Sequence, residues 1–370
     1  MLKRLSKESV TNNIVPVIGL TVIVTGLQGL ISVFFLMFIS RLNIGRDSEF
    51  KHGVASGSSR LGGIAIIFSL LSGIIINLYL DNSLLLSNLS KYIDNILLFS
   101  ILIGLIGLLE DLNQNLTSFF RLLLILVFVG VALALMPQLI PFDLPIFAGI
   151  NEKNNFIFIY LFTVVMIAGF INAGNIADGA NGLFPSICLA FFIVCFLIDP
   201  SIFYVSLIVS LLTFTIYNAS TGRIFLGDFG AYFLSAIVAF SSINIFMNYD
   251  ASVFLFASIL VYPCFELIRS LLVRFFNNKA IMSPDNNHLH NLVNHCLLSW
   301  GFSMHKANSM TGLGLALISS GPPLCMIYLK VQPTDNLWFY LLFFQLLYLS
   351  IIYMFLGKII SKKTGFTVII

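Results

Sequence analysis

An all-α, polytopic integral membrane bundle is the fold class this sequence predicts, and three observations predict it. The chain of 370 residues is 58% hydrophobic and only 9% charged, against about 25% charged in soluble domains. Its apolar residues fall in runs of roughly 20, the length a helix needs to cross the hydrocarbon core of a bilayer. Those runs do not alternate apolar with polar residues, which excludes a closed membrane barrel. The formal charge of +3 is too small to suggest nucleic-acid binding. Of five cysteines, Cys188, Cys195 and Cys264 lie inside apolar runs. Their odd number and burial argue against a disulfide framework.

The runs, in order, are Ile14–Ser40, Leu61–Leu80, Ile93–Leu109, Leu122–Leu135, Phe156–Gly174, Leu183–Ile198, Ser201–Asn218, Gly230–Met247, Ser252–Leu272, Ala307–Leu329 and Leu337–Leu356. They predict about eleven transmembrane helices. Ile14–Ser40 follows Lys3, Arg4 and Lys7 but is far longer than a signal-peptide core of about 7–15 residues, so it is expected to be a retained first span. The sixth and seventh runs meet at Asp199-Pro200, a tight turn on the outer face. The longest polar stretch, about Val273–Lys306, predicts a loop or short interfacial helices. No repeat and no soluble insert is visible, so residues 1–370 form one membrane domain.

Orientation follows from the basic residues, which favour the cytoplasmic side. The odd-numbered gaps and the C-terminal tail hold more than twice the Lys and Arg of the even gaps and N-terminal tail. The N-terminus is therefore expected outside and the C-terminus in the cytoplasm, with Lys3, Arg4 and Lys7 dissenting. Five cytoplasmic loops result, at 41–60, 110–121, 175–182, 219–229 and 273–306, and they carry nearly all the chemistry.

Three of these loops hold acids. Glu110-Asp111 ends an uncharged run, Asp178 sits in the stretch Asn172 to Gly182, and Asp228 sits in Gly227-Asp228-Phe229-Gly230. Acids at a membrane boundary are costly and usually functional. Carboxylates together with water and phosphate oxygens suit Mg²⁺, and Gly beside an Asp lets backbone approach a ligand. Each Asp could instead cap the following helix. Asn172, Asn175 and Asn181 could hydrogen-bond a sugar, a uracil or backbone. Arg46, Lys51, His52 and Arg60 precede Gly62-Gly63. They fit either interfacial anchoring or phosphate binding, for which Arg offers a bidentate fork. His288 and His290 form an H-x-H pair that could bind a transition metal. No Cys lies close enough in sequence to suggest a zinc site, although an acid from elsewhere could complete one; donation to a diphosphate or nucleotide is favoured. Glu266 lies inside a run, three residues before Arg269, and either pairs with it or faces the site.

Together these segments resemble the polyprenyl-phosphate N-acetylhexosamine-1-phosphate transferase family. The resemblance runs from about Arg46 to Asn291. It rests on Lys51-His52-Gly53 with Ser59 to Gly63, Gly107 to Asp111 with Arg121, Asn172 to Leu183, Phe225 to Gly230, and Ser283 to Leu292. Two positions depart from the family pattern: Glu110 stands where an Asp is usual, and Asn291 where a third His is usual. Asn keeps a donor but does not titrate near neutral pH.

The resemblance implies attack by a polyprenyl (undecaprenyl) phosphate on the sugar-linked phosphate of a UDP-N-acetylhexosamine, releasing UMP. That would begin a cell-envelope glycan such as O-antigen, teichoic acid or capsule. It further implies Mg²⁺, with Mn²⁺ as a substitute, held by Asp228 and Asp111. Asp178 would bind the nucleotide with Asn175 beside it, and Glu110 and Asp111 would orient or deprotonate the lipid phosphate. His288 and His290 would hold the sugar diphosphate. Lys51, His52, Arg60, Arg121 and Asn172 complete the expected substrate-binding set, and the assembly admits a homodimer. Direct attack is expected, because no acid is singled out as a nucleophile. Two rivals stand beside this reading. A secondary transporter would place polar residues at mid-span in repeated halves; a catalytically impaired relative would explain Glu110 and Asn291.

Overall fold

The computed structural model describes residues 25–42, 58–79, 93–113, 116–144, 147, 152–249, 251–278, 280, 287–329 and 334–364. The first half of the first run, Arg46, Lys51, His52 and residues 281–286 lie outside the described residues. The chain is helical, as expected. Among the described residues the one β feature is an isolated parallel bridge between Ser59 and Ile224. The helices are α1 Thr25–Ile39, α2 Gly62–Tyr79, α3 Ile93–Asn113, α4 Ser118–Leu135, α5 Glu152–Ala177, α6 Leu183–Ile198 and α7 Ile202–Thr221. They continue with α8 Gly227–Asn248, α9 Val253–Ile259, α10 Val261–Phe276, α11 Leu289–Ser299, α12 Met304–Tyr328 and α13 Asp335–Thr364.

Every apolar run that falls on described residues is a helix. Among the described residues eight helices are long and apolar enough to cross a membrane; α9 and α10 make a ninth if the bent pair is one span, and α1 and α6 are shorter apolar helices. Helix α8 is the axis of the bundle. It packs most extensively on α3 and also on α5, α2 and α6. Small residues make that possible: a Cβ at Gly107 of α3 would fall 2.3 Å from the carbonyl oxygen of Asp228. Close backbone approach through small residues is how membrane helices gain packing energy without a hydrophobic drive. The turn expected at Asp199-Pro200 is present, and Ser201 starts α7 by accepting the Tyr204 amide at 3.5 Å. The outward-facing side chains of α4 and α13 are large and apolar.

One run departs from its expected form. Ser252–Leu272 reads as a single span, yet the chain bends by 77° between α9 and α10. Pro263 explains the break, since proline removes the amide that would bond the carbonyl four residues earlier. That carbonyl, on Ile259, accepts the Ser320 hydroxyl at 2.7 Å instead. Pro322 and Pro323 inside α12 free the carbonyls of Ile318 and Ser319. Tyr348 takes the first, and the Gln345 amide takes the second at 2.6 Å. Gln345 also reaches the Ser258 carbonyl at 3.1 Å, beside the bend. Helix α13 therefore supplies donors that the prolines remove, as a low-dielectric interior demands. Gln345→Leu is expected to leave two buried carbonyls unsatisfied. It should destabilise the protein by about 2 kcal/mol or more, read as a lower melting temperature in detergent.

Candidate active site

The polar ends of the helices converge on one cavity of about 170 Å³. Its lining includes Arg60, Asp111, Asn175, Asp178 and Asp228. The helices run further than the apolar runs suggested. Glu110 and Asp111 lie in the last turns of α3, Asn175 in the last turn of α5, and Asp228 in the first turn of α8. Of these, Asp111, Asn175 and Asp228 line the internal cavity.

Asp111 is the structural key. Its carboxylate is buried, accepting the Asp228 amide at 3.1 Å and the Phe229 amide at 2.9 Å. No side chain of its own cap serves α8, so Asp111 satisfies the orphan amides of that helix from across the bundle and complements its positive end. Neither Asp178 nor Asp228 caps its own helix. Gly227 makes the turn into α8 with φ +76°, and a Cβ there would fall 1.9 Å from the Arg60 carbonyl. The strand-like pairing of Ser59 with Arg223 and Phe225, followed by the Gly62 and Gly63 amides donating to Phe225 and Leu226 at 3.0 and 2.9 Å, clamps Arg60 beside that turn.

Arg121, near the start of α4, donates to Asp228 Oδ2 at 2.7 Å. The same nitrogen lies 4.0 Å from Glu110 Oε1. Glu110 accepts the Leu116 amide at 3.0 Å, closing the turn between α3 and α4. The longer side chain of Glu110 thus reaches both its own loop and Arg121. Asp178 follows α5 directly. Burial, then the carboxylates of Asp228 and Asp111, push its carboxyl well above the usual range. Its folded-state value therefore exceeds its unfolded one, and stability falls as pH rises through the interval between them. Asp178→Asn removes that cost. The variant is expected to melt above the parent at about pH 8, with the gap closing toward about pH 4, the ordinary carboxylate range.

Asn172 is not in the cavity lining; it bonds back to the Ala168 carbonyl at 2.9 Å. His288 and His290 start α11, outside the lining, with His290 Nε2 pressed on Gly179, where a Cβ would fall 2.0 Å from it. Glu266 faces these histidines and Arg269 rather than the cavity: it bonds Arg269 at 3.1 Å and His288 at 2.8 Å. Asn218 and Asn308 also line the cavity, and the sequence reading missed both. Asn308 accepts the Asn181 amide at 2.6 Å, and Asn218 donates to the Ile224 carbonyl at 2.6 Å. The available signal was an amide at the polar end of an apolar run.

The cavity also fits a divalent cation. Among the described residues no three His, Cys, Asp or Glu side chains form a cage. Mg²⁺ does not require one, being held by one or two carboxylates with phosphate oxygens and water. Asp228 and Asp178 supply hard oxygen donors to one cavity.

Comparison with known proteins extends this description. The glycosyl transferase family 4 model matches residues 94–246, the segment that carries Glu110, Asp111, Arg121, Asp178 and Asp228. A probable undecaprenyl-phosphate N-acetylglucosaminyl 1-phosphate transferase from Bacillus subtilis is 27% identical over 83% of this chain and 83% of its own length. Phospho-N-acetylmuramoyl-pentapeptide-transferases from Staphylococcus epidermidis and Bacillus licheniformis are each 27% identical over 70% of this chain, covering 83% and 84% of their own. The motif resemblance and both comparisons agree: this chain is similar to glycosyl transferase family 4 over residues 94–246 and, over most of its length, to an undecaprenyl-phosphate N-acetylglucosaminyl 1-phosphate transferase and to phospho-N-acetylmuramoyl-pentapeptide-transferases.

Proposed function

We propose that the protein transfers an N-acetylhexosamine-1-phosphate from a UDP-sugar to a polyprenyl phosphate and releases UMP. One observation carries the reading: Arg60, Asp111, Asp178 and Asp228, drawn from four separate segments, share one cavity at the end of an apolar bundle. Phosphoryl transfer between two anions needs positioning and charge neutralisation more than covalent chemistry. The cavity offers both. Arg60 presents a guanidinium to phosphate, and Asn175 and Asp178 present hydrogen-bonding groups to the nucleotide.

Asp228 would hold Mg²⁺, with Asp111 fixing its position through the amide it accepts. Bound there, the ion would neutralise charge on the departing phosphate. Arg121 holds the Asp228 carboxylate in place through the 2.7 Å hydrogen bond. The acceptor needs little help from a base, since the second pKa of a phosphate monoester is about 6. Glu110 and Asp111 are therefore read as positioning groups. Direct attack by the lipid phosphate fits an Asp111 whose oxygens are both engaged by amides; a phospho-enzyme trapped without lipid acceptor would overturn that step.

The lipid has a place as well. An apolar cavity of about 370 Å³ lies among α5, α8 and the α9–α10 bend, lined by Phe162, Met166, Phe170, Phe246 and Leu260 among others. At 1.5 Å per residue, Phe170 on α5 is about 12 Å from Asp178. A polyprenyl chain lying there would bring its phosphate toward the acids. The site is assigned to the cytoplasmic face on the distribution of Lys and Arg. Impermeant reagents reaching the Asp178 and Asp228 loops from opposite sides would refute it.

The deciding experiment incubates purified protein with undecaprenyl phosphate, Mg²⁺ and a panel of UDP-N-acetylhexosamines, and measures UMP. Release with one sugar identifies the donor, and EDTA is expected to stop it. No release with any sugar would support the impaired relative. Uptake into vesicles without UMP would support the transporter.

A further inference from the structure

Against Gly179 lies a second buried polar cluster that the transfer chemistry leaves unexplained. It is built from three elements. Helix α10 gives Tyr262, Glu266 and Arg269; the start of α11 gives His288, Leu289 and His290; α13 gives Tyr353. Glu266 is at its centre and fully buried. Its Oε1 accepts the Leu289 amide at 2.6 Å and the Tyr262 hydroxyl at 3.4 Å. Its Oε2 faces Arg269 at 3.1 Å and His288 Nδ1 at 2.8 Å. Tyr262 also meets His290 Nδ1 at 3.1 Å. Arg269 is held in turn by the Tyr353 hydroxyl at 3.1 Å and stacks on that ring at 4.8 Å.

The hydrogen-bond directions in this cluster are constrained. His288 Nδ1 lies 3.0 Å from an Arg269 nitrogen, which only donates, and 2.8 Å from Glu266 Oε2, which only accepts; the shorter contact assigns the proton to Nδ1. Tyr262 has one proton, and giving it to Glu266 leaves its oxygen to accept from His290 Nδ1. Both imidazoles then hold their protons on Nδ1, through the same carboxylate. The rings are nearly parallel, 11° apart with centroids 5.3 Å apart, and His290 Nε2 faces the Asp178–Gly179 segment.

We propose that Glu266 is a positioning residue for the sugar-phosphate transfer: it fixes one tautomer and one ring orientation in both His288 and His290, so that their Nε2 atoms are presented together beside the Asp178 segment. This rests on the transfer reading above, although the tautomers stand independently of it. The hydrogen bond at one ring nitrogen sets the role of the other. A carboxylate behind a metal-bound histidine acts in the same way, and losing such a partner costs about 10–100-fold in activity.

Two variants test this, each with kinetics and with ¹⁵N NMR of histidine-labelled protein in detergent. Glu266→Gln would turn an amide donor toward His288 Nδ1, because the Leu289 amide and the Tyr262 hydroxyl both claim the remaining oxygen; the same NH₂ then meets the Arg269 guanidinium, donor against donor, so a lower melting temperature is expected as well. The pyridine-type nitrogen of His288 should move from Nε2 to Nδ1, and kcat/KM for the UDP-sugar should fall about tenfold or more. Tyr262→Phe removes a single hydroxyl and keeps the ring, so the variant should fold even if Glu266→Gln does not, its melting temperature lowered by no more than the loss of one buried hydroxyl. His290 alone should lose its fixed tautomer, with a smaller loss in kcat/KM. Wild-type histidines protonated on Nε2, or a Tyr262→Phe variant with parental kinetics and parental spectra, would overturn the proposal. If the parent protein releases no UMP from any sugar, the transfer reading fails instead, and the wild-type spectra still decide the tautomers.

Discussion

Replacing Asp228 by asparagine is expected to lower UMP release by at least about 10²–10³-fold, the scale on which removal of one electrostatic group at a transferring centre is felt. The protein should remain folded. The Asp228 side chain is partly exposed to the cavity, and its one strong partner is Arg121 at 2.7 Å. Asparagine can still accept from that guanidinium, so the contact survives while the charge is lost. The backbone amide of residue 228, which Asp111 accepts, is untouched. The measurement pairs UMP release with a melting curve in detergent. A variant with parental turnover would remove Asp228 from the metal assignment, and one that fails to fold would move its role from chemistry to structure. Titrating Mg²⁺ adds a check: activity that returns at high Mg²⁺ would mean weakened binding rather than a lost ligand.

The class of fold was legible because hydrophobicity over about 20 residues is a local property, and the bilayer imposes it. The bend at Leu260 was not. Pro263 sits in an unbroken apolar run, and what makes a break affordable there is Ser320 and Gln345, 57 and 82 positions downstream by residue number. Donors at such separation leave no mark on the run itself. Arg60, Asp178 and Asp228 were readable as site residues because charges are rare in this chain, and each was flanked by glycine or lay near the end of an apolar run. Asn218 and Asn308 were missed because they sit at the ends of apolar runs, where an amide reads as an ordinary boundary residue. The face of the helix decides whether it meets lipid or cavity. Glu266 was left between two readings for the same reason. Arg269 and Tyr262 are its neighbours on the same helix, three residues on and four residues before, whereas His288 and Leu289 come from the start of α11.

Asp111→Asn is expected to fail differently, and the contrast separates the two acids that the sequence places in one motif. Asp111 is buried, and each of its oxygens accepts one amide of α8. Asparagine has a single oxygen; its NH₂ would face either the Asp228 or the Phe229 amide, donor against donor. One buried amide loses its partner, which costs about 1–3 kcal/mol, and the favourable charge at the positive end of α8 is lost as well, worth about 0.3–1 kcal/mol or more when buried. The first turn of α8 carries Asp228, and Gly227 before it is wedged against the Arg60 carbonyl, so the turn has no slack to relax into. Displacement of Asp228 by even about 1 Å can cost 10²-fold in rate. The variant should therefore lose melting temperature and turnover together, whereas Asp228→Asn loses turnover alone. Parental stability in Asp111→Asn would mean that the α8 amides are satisfied without it, and that Asp111 serves the reaction directly.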